Sequence, residues 1–242
     1  MNRRLQNLIG TLVYLLAFSS VAHAQLKDNI EVNLFGGGSI YTKKKFEIGF
    51  PQSTIPIQET FKLNRVVFRG GLRVGVFDRG HWSEEFFYSY EPNTAHFVRD
   101  SATSTSVDLP LRVHNFGVTA LYYLQDNELQ SIRPFLSVGL GGTLYRLTQE
   151  AESIARDPSR GNLPGIKNSN LLTLNYGVGV KVRPLSGWLG FRADVRGFLG
   201  PNPSFRLPSQ SDDPNAIVFP AGGAMHNGEA SAGVIFYFFN RR

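Results

Sequence analysis

The sequence contains no cysteine, and only two tryptophans and two methionines, among its 242 residues. With no thiol there can be no disulfide framework, no thiolate metal site and no cysteine nucleophile. Charge is sparse too: Asp, Glu, Lys and Arg make up 18% of the chain, and the formal net charge is +6. That excess is mild and scattered, so it gives no ground for a nucleic-acid partner. After residue 24 no stretch approaches 18 consecutive apolar residues, which excludes a transmembrane helix in that part of the chain. What the sequence does have is 25 glycines, 19 phenylalanines and 9 tyrosines. Abundant Gly and aromatics with few helix-forming runs lean towards an all-β protein.

The first two dozen residues read as an address. Arg3 and Arg4 form a positive start, Leu5 to Val21 is mostly apolar, and Ala22-His23-Ala24 has the small-x-small pattern that signal peptidase accepts. The expectation is a cleaved signal peptide over 1–24 and a single mature domain over 25–242. A short membrane anchor is the other reading of the segment, disfavoured by its short apolar core and the cleavage site behind it. Loss of Arg3 and Arg4 lowers the formal charge from +6 to +4. An exported chain without disulfides needs another source of stability, and a closed sheet in a bilayer supplies one.

The main signal in the mature chain is period two. From Leu172 to Arg183 the even positions read Leu, Leu, Tyr, Val, Val, Val and the odd positions Thr, Asn, Gly, Gly, Lys, Arg. This is strand alternation. From Trp188 to Leu199, Leu189, Phe191, Ala193, Val195 and Leu199 share one face, and Gly190, Arg192, Asp194 and Arg196 the other. Six further segments read the same way: Asn29–Tyr41, Asn64–Phe77, Trp82–Tyr90, Leu111–Leu124, Arg133–Leu147 and Gly228–Phe239. In Leu111–Leu124 the alternation is weaker, because Leu121 and Tyr123 make both faces partly apolar. Eight is an even number, and each run is long enough to cross a bilayer at a tilt. Short connections follow the second, fourth and sixth strands. Long polar ones follow the first, third, fifth and seventh: Thr42–Leu63, Glu91–Pro110, Thr148–Leu171 and Gly200–Asn227. Short periplasmic turns and long outer loops are the expected barrel arrangement. The predicted fold is an all-β, eight-stranded antiparallel up-and-down transmembrane β-barrel.

Face chemistry separates this from a soluble calyx. Leu136, Val138, Leu140, Val178, Phe191, Val195 and Val234 suit lipid, while Gly139, Gly141, Gly177, Gly179 and Asn175 suit a narrow lumen. Strand parity directs Arg69, Arg73, Glu85, Lys181, Arg183, Arg192, Asp194 and Arg196 inward, with Glu31 and Glu229. Both signs are present, so these groups are expected to pair as a lumen charge network. Trp82 and Trp188 each follow a short turn and are expected at the periplasmic interface, with Tyr122, Tyr237 and Phe238 near the same level.

At the C-terminus Ser231, Gly233, Phe236 and Phe238 resemble the terminal signal of outer-membrane barrels, although the chain runs on to Arg242. With the strand pattern, the mature chain resembles the OmpA-like and OmpX-like eight-stranded outer-membrane barrel group. The resemblance implies an outer-membrane location and recognition of the last strand by the barrel-assembly machinery. The peptidoglycan-binding function of longer OmpA-type proteins is not expected to carry over, since residues 25–242 are taken up by the barrel pattern.

Some barrels of this kind modify lipid A with His, Ser and a carboxylate. Of His81, His96, His114 and His226, His114 is the best candidate, with Ser101, Ser104 or Ser106 and Asp108 as possible partners. A polar rim residue is the preferred reading. Glu84 and Glu85 point to opposite faces of a strand and cannot act as a pair. Asp212-Asp213 lacks a spaced ligand set. Lys43-Lys44-Lys45 offers basic contacts to lipopolysaccharide phosphates, or simply a solvated loop. Gly36-Gly37-Gly38 lacks the helix that a phosphate loop requires and is read as relief of crowding. The functional expectation is a monomeric, non-enzymatic barrel with a structural or surface-interaction role through long outer loops. Its partners would be outer-membrane lipid and lipopolysaccharide, with no cofactor, metal or catalytic residue. A lipid A-modifying enzyme is the alternative.

Overall fold

A computed structural model describes residues 29–41, 46–48, 59–77, 80–99, 105–125, 130–157, 159–160, 165–183, 188–206 and 223–238. The expected signal peptide over 1–24, Lys43 to Lys45, Ser101, Ser104 and Asp212-Asp213 lie outside the described residues. The strands are β1 Asn29–Tyr41, β2 Phe46–Ile48, β3 Glu59–Leu63, β4 Val66–Phe77, β5 Trp82–Arg99, β6 Thr105–Tyr123, β7 Ile132–Leu147, β8 Ser169–Val182, β9 Leu189–Pro201 and β10 Ala224–Phe238. One helix, α1, spans Gln149–Arg156. Among the described residues no helix is long and apolar enough to cross a membrane.

Eight long strands form the barrel. Each pairs antiparallel with its neighbour in the order β1, β4, β5, β6, β7, β8, β9, β10, and β10 closes on β1. Stepping across partners from Glu31 passes through Gly75, Glu85, Thr119, Gly139, Asn175, Phe198 and Asn227 and returns to β1 at Tyr41, ten residues above the start. That stagger tilts the strands by about 40° and leaves an interior that side chains alone can fill.

The largest departures from the sequence expectation lie at one end of the barrel, where β8 and β10 also begin earlier than expected, at Ser169 and Ala224. β5 runs to Arg99, not Tyr90, and β6 begins at Thr105, not Leu111. The two continue as a hairpin beyond the barrel wall, with β3 pairing to the far half of β5 and β2 to β3. Pro92 and Pro110 sit in this extension. Each faces outward there, opposite Arg112 and Thr94 respectively. The segment expected as loop after β7 holds α1 instead. The Thr148 hydroxyl caps it by accepting from the Ala151 amide at 3.2 Å, and Ala151, Ile154 and Ala155 form its buried face.

Two apolar clusters bracket the barrel interior. Beneath α1, Leu109, Leu111, Val113, Tyr145, Leu147, Phe205 and Met225 pack with the helix face. At the other end Leu121, Tyr123 and Phe135 pack together. This second cluster accounts for the double-sided apolarity of β6, since Leu121 and Tyr123 fill the lumen while Tyr122 faces out. Small residues admit close strand approach at the wall. A Cβ on Gly37 would overlap the Ala230 carbonyl, and one on Gly141 the Phe116 carbonyl.

Candidate functional site: the charged lumen

Period-two strands closed into a narrow barrel send every second side chain inward, and the inward set here is charged. Arg69, Arg73, Arg133, Lys181, Arg192 and Arg196 are buried together with Glu31, Glu85, Glu91, Asp194 and Glu229. Six cations face five carboxylates, so the lumen is close to neutral. Burying a charge away from water is costly unless it is paired and hydrogen-bonded, and these groups meet that condition repeatedly.

Asp194 lies at the centre. One oxygen accepts from Arg73 at 3.2 Å and from the Ser231 hydroxyl at 2.7 Å. The other accepts from Arg192 and from Arg196, the latter at 3.3 Å. Glu85 pairs with both Arg192 and Arg196 from the opposite wall. Arg73 continues to Glu229 at 2.8 Å, and Glu229 to Arg69 at 3.0 Å. Arg69 ends the chain on Glu91 at 2.8 Å. Nearer the turns, Lys181 pairs with Glu31 and donates to the Tyr123 hydroxyl at 2.8 Å. Aromatic rings cover exposed guanidinium faces, Arg73 standing 3.5 Å from the Phe35 centroid and Arg133 4.1 Å from that of Tyr123.

Of the ten lumen positions expected from sequence, Glu31, Arg69, Arg73, Glu85, Lys181, Arg192, Asp194, Arg196 and Glu229 are brought into these pairings. Arg183 lies one residue beyond β8, its guanidinium 4.2 Å from the centroid of Tyr237 and outside the ion pairs. Sequence reading missed Glu91 and Arg133. Glu91 fell in the supposed loop, although inward parity runs unbroken through Glu85, Phe87, Ser89, Glu91 and Asn93. Arg133 is the second residue of β7, next to the turn, where too little strand precedes it to set a parity.

The outer surface is inverted relative to a water-soluble protein. Leu136, Val138, Leu140, Val178, Phe191 and Val195 are all roughly half exposed or more. Trp82 and Trp188, at 58% and 66% exposure, stand at the same end of the barrel. Trp82 packs on Tyr122 at 4.9 Å and Trp188 stacks on Phe236 at 5.7 Å between centroids. Tyr237, placed in this belt by sequence, instead faces the lumen and is buried. It occupies the inward parity between Phe236 and Phe238.

In β10, Ser231 and Gly233 face the lumen, whereas Phe236 and Phe238 face outward opposite Val32 and Ile30 of β1. Among the described residues, His114 and Asp108 of the lipid A-type constellation are not brought together. His114 points outward and pairs with the Tyr88 hydroxyl at 2.8 Å, while Asp108, six residues away along β6, pairs with His96 at 2.7 Å. Glu84 and Glu85 lie on opposite faces of β5. In the surface turn after α1, Asp157 is held below the ordinary carboxylate range, first by a hydrogen bond from the Ser159 hydroxyl.

An apolar exterior around a paired, charged lumen in a closed eight-stranded sheet defines a transmembrane β-barrel. Solved structures of outer-membrane proteins align with most of the chain. The outer membrane protein OprG from Pseudomonas aeruginosa aligns over 88% of this chain and 97% of its own, with a TM-score of 0.52 and 12% identity. Neisserial surface protein A aligns over 88% of this chain and 97% of its own, with a TM-score of 0.44 and 12% identity. The N-terminal β-barrel domain of OprF, also from Pseudomonas aeruginosa, covers 88% and 98%, with a TM-score of 0.40 and 15% identity. No protein-family model and no curated protein matches the chain. The fold is that of an eight-stranded outer-membrane barrel such as OprG.

Proposed function

We propose that this chain is a monomeric, non-enzymatic outer-membrane barrel, exported with a cleaved signal peptide, that presents its β5–β6 extension and long connections outside the cell. The barrel-assembly machinery inserts it, and outer-membrane lipid and lipopolysaccharide surround it. The observation that carries this reading is a lumen filled at every level. The ion-pair chain occupies the middle, and apolar clusters close both ends. Among Thr143, Tyr145, Thr173, Phe198 and Met225 the residual cavity is about 10 Å³, at most the space of a single water. Among the described residues, such a lumen leaves no continuous passage along the barrel axis. The barrel's remaining working surface is the outer end and the lipid-facing wall.

Two measurements test this. Purified protein in planar bilayers is expected to show no sustained conductance. Lipid A extracted from cells with and without the protein is expected to give identical mass spectra. A large steady conductance would refute the closed lumen, and a new lipid A species dependent on expression would refute the non-enzymatic role.

A further inference from the structure

The lipid-facing wall carries a charge arrangement that the lumen network does not explain. Arg112 of β6 and Arg146 of β7 are directly opposed partners in the sheet, and both point outward. Like charges at directly opposed positions repel, their Cβ atoms being about 5 Å apart. Neither arginine forms an ion pair among the described residues. Carboxylates on β6 and on α1, which packs against β6 and β7, are otherwise engaged or exposed: Asp108 is held by His96 at 2.7 Å, Glu152 by Arg156 at 3.1 Å, and Glu150 is exposed at the start of α1. Below the two guanidinium groups, His114 bonds to the Tyr88 hydroxyl and meets the Tyr90 ring edge-on at 5.4 Å. His114 follows Arg112 by two residues on the same outward face of β6, so these side chains share one patch of the wall.

Height gives this cluster its meaning. Trp82 opposes Tyr122, and Pro92 opposes Arg112, so ten residues of strand separate the periplasmic aromatic level from the arginine level. At about 3.4 Å per residue and a tilt of about 40°, that is about 25 Å. The apolar band of an outer-membrane barrel is also about 25 Å tall. The pair thus stands where acyl chains give way to headgroups, above the aromatic residues that favour that boundary.

We propose that Arg112 and Arg146 clamp a phosphate group of an outer-leaflet lipid headgroup. Planar guanidinium forks match phosphate oxygens bidentately, and one dianion between them converts a repulsive pair into an attractive triad. The Tyr88, Tyr90 and His114 side chains floor the site, and the acyl chains run down the apolar wall beside Phe116 and Leu144. This rests on the outer-membrane reading above.

The test uses the full chain refolded in octyl glucoside, a detergent without phosphate, and native mass spectrometry. The probes are bis-phosphorylated lipid A, the same lipid with both phosphates removed, and inorganic phosphate. The parent should retain bis-phosphorylated lipid A, and R112Q/R146Q should bind it at least about tenfold more weakly. Arg160→Gln, in an exposed turn, should bind as the parent does. Dephosphorylated lipid A and inorganic phosphate should both bind weakly and indifferently to the substitution. Equal retention of bis-phosphorylated lipid A by parent and double variant would overturn the clamp. Inorganic phosphate binding as tightly as the lipid would overturn the headgroup as source. Removing opposed like charges should leave the barrel intact, which heat-modified gel mobility checks; Arg146→Gln alone serves the same comparison with half the perturbation. Failure of the membrane-barrel reading would show as lost heat modifiability in the parent itself, independent of lipid.

Discussion

At the scale of single residues, the lumen is decided by which carboxylates hold which arginines. Asp194 accepts from Arg73, Arg192, Arg196 and Ser231. Asp194→Ala leaves three guanidinium groups sharing Glu85 and Glu229 in a space with little room for water. Breaking a buried pair by removing one partner costs about 3–5 kcal/mol. Glu152→Ala removes only a surface pair four residues apart on α1, worth about 0.3–0.5 kcal/mol. Urea unfolding of both variants in micelles should show this contrast, and similar midpoints would mean that the network contributes little. Parity counting reached Asp194 and its two arginine neighbours from sequence alone, because charges two apart on a strand share a face. It did not reach their partners across the barrel. Glu85 meets Arg192 and Arg196 over the lumen, a juxtaposition set by the stagger of the closed sheet and written in no local pattern.

At the scale of elements, the transmembrane portions were legible because lipid enforces strict alternation. Outside the membrane that constraint relaxes, and there the reading failed. Pro92 and Pro110 break strand propensity but are tolerated just past the ends of neighbouring ladders, since β4 pairs with β5 only as far as Tyr90 and β7 with β6 only from Leu111. The helix was legible in hindsight: Thr148 is a good cap, Glu150 and Glu152 favour the helix N-terminus, and Ala151, Ile154 and Ala155 recur at helical spacing. Eight residues within a long polar connection were too few to stand out. The helix has a measurable consequence. Arg160 lies in an exposed turn, whereas Arg156 closes α1. Trypsin added to intact cells should cut after Arg160 before Arg156. Thr148→Ala removes a cap worth about 1 kcal/mol and should speed cleavage at Arg156. Cleavage that appears only once the outer membrane has been opened would reverse the proposed orientation.

At the scale of the whole molecule, closure depends on one pairing, that of the last strand with the first. β10 bonds to β9 on one side and to β1 on the other, from Ile30 opposite Phe238 to Tyr41 opposite Asn227. Until it docks, both flanking strands expose unpaired backbone, which cannot persist in hydrocarbon. The terminal residues divide the work by parity. Ser231 supports Asp194 from within, and Gly233 leaves room where a Cβ would overlap the Leu34 carbonyl. Phe236 and Phe238 present rings to the lipid side, Phe236 stacked on Trp188. Phe238 is 47% exposed and makes no lumen contact, so its substitution tests recognition and insertion more than packing. A charge on the lipid face near the interface costs only about 0–1 kcal/mol once a barrel is folded. Phe238→Asp should therefore leave the refolded protein nearly as stable in micelles as the parent. In cells it should yield much less heat-modifiable barrel, with periplasmic aggregates or degradation products in its place. Normal amounts of folded protein in the outer membrane of that mutant would show that Phe238 is not part of an assembly signal. An equal loss of stability in micelles would show that the residue acts through packing instead.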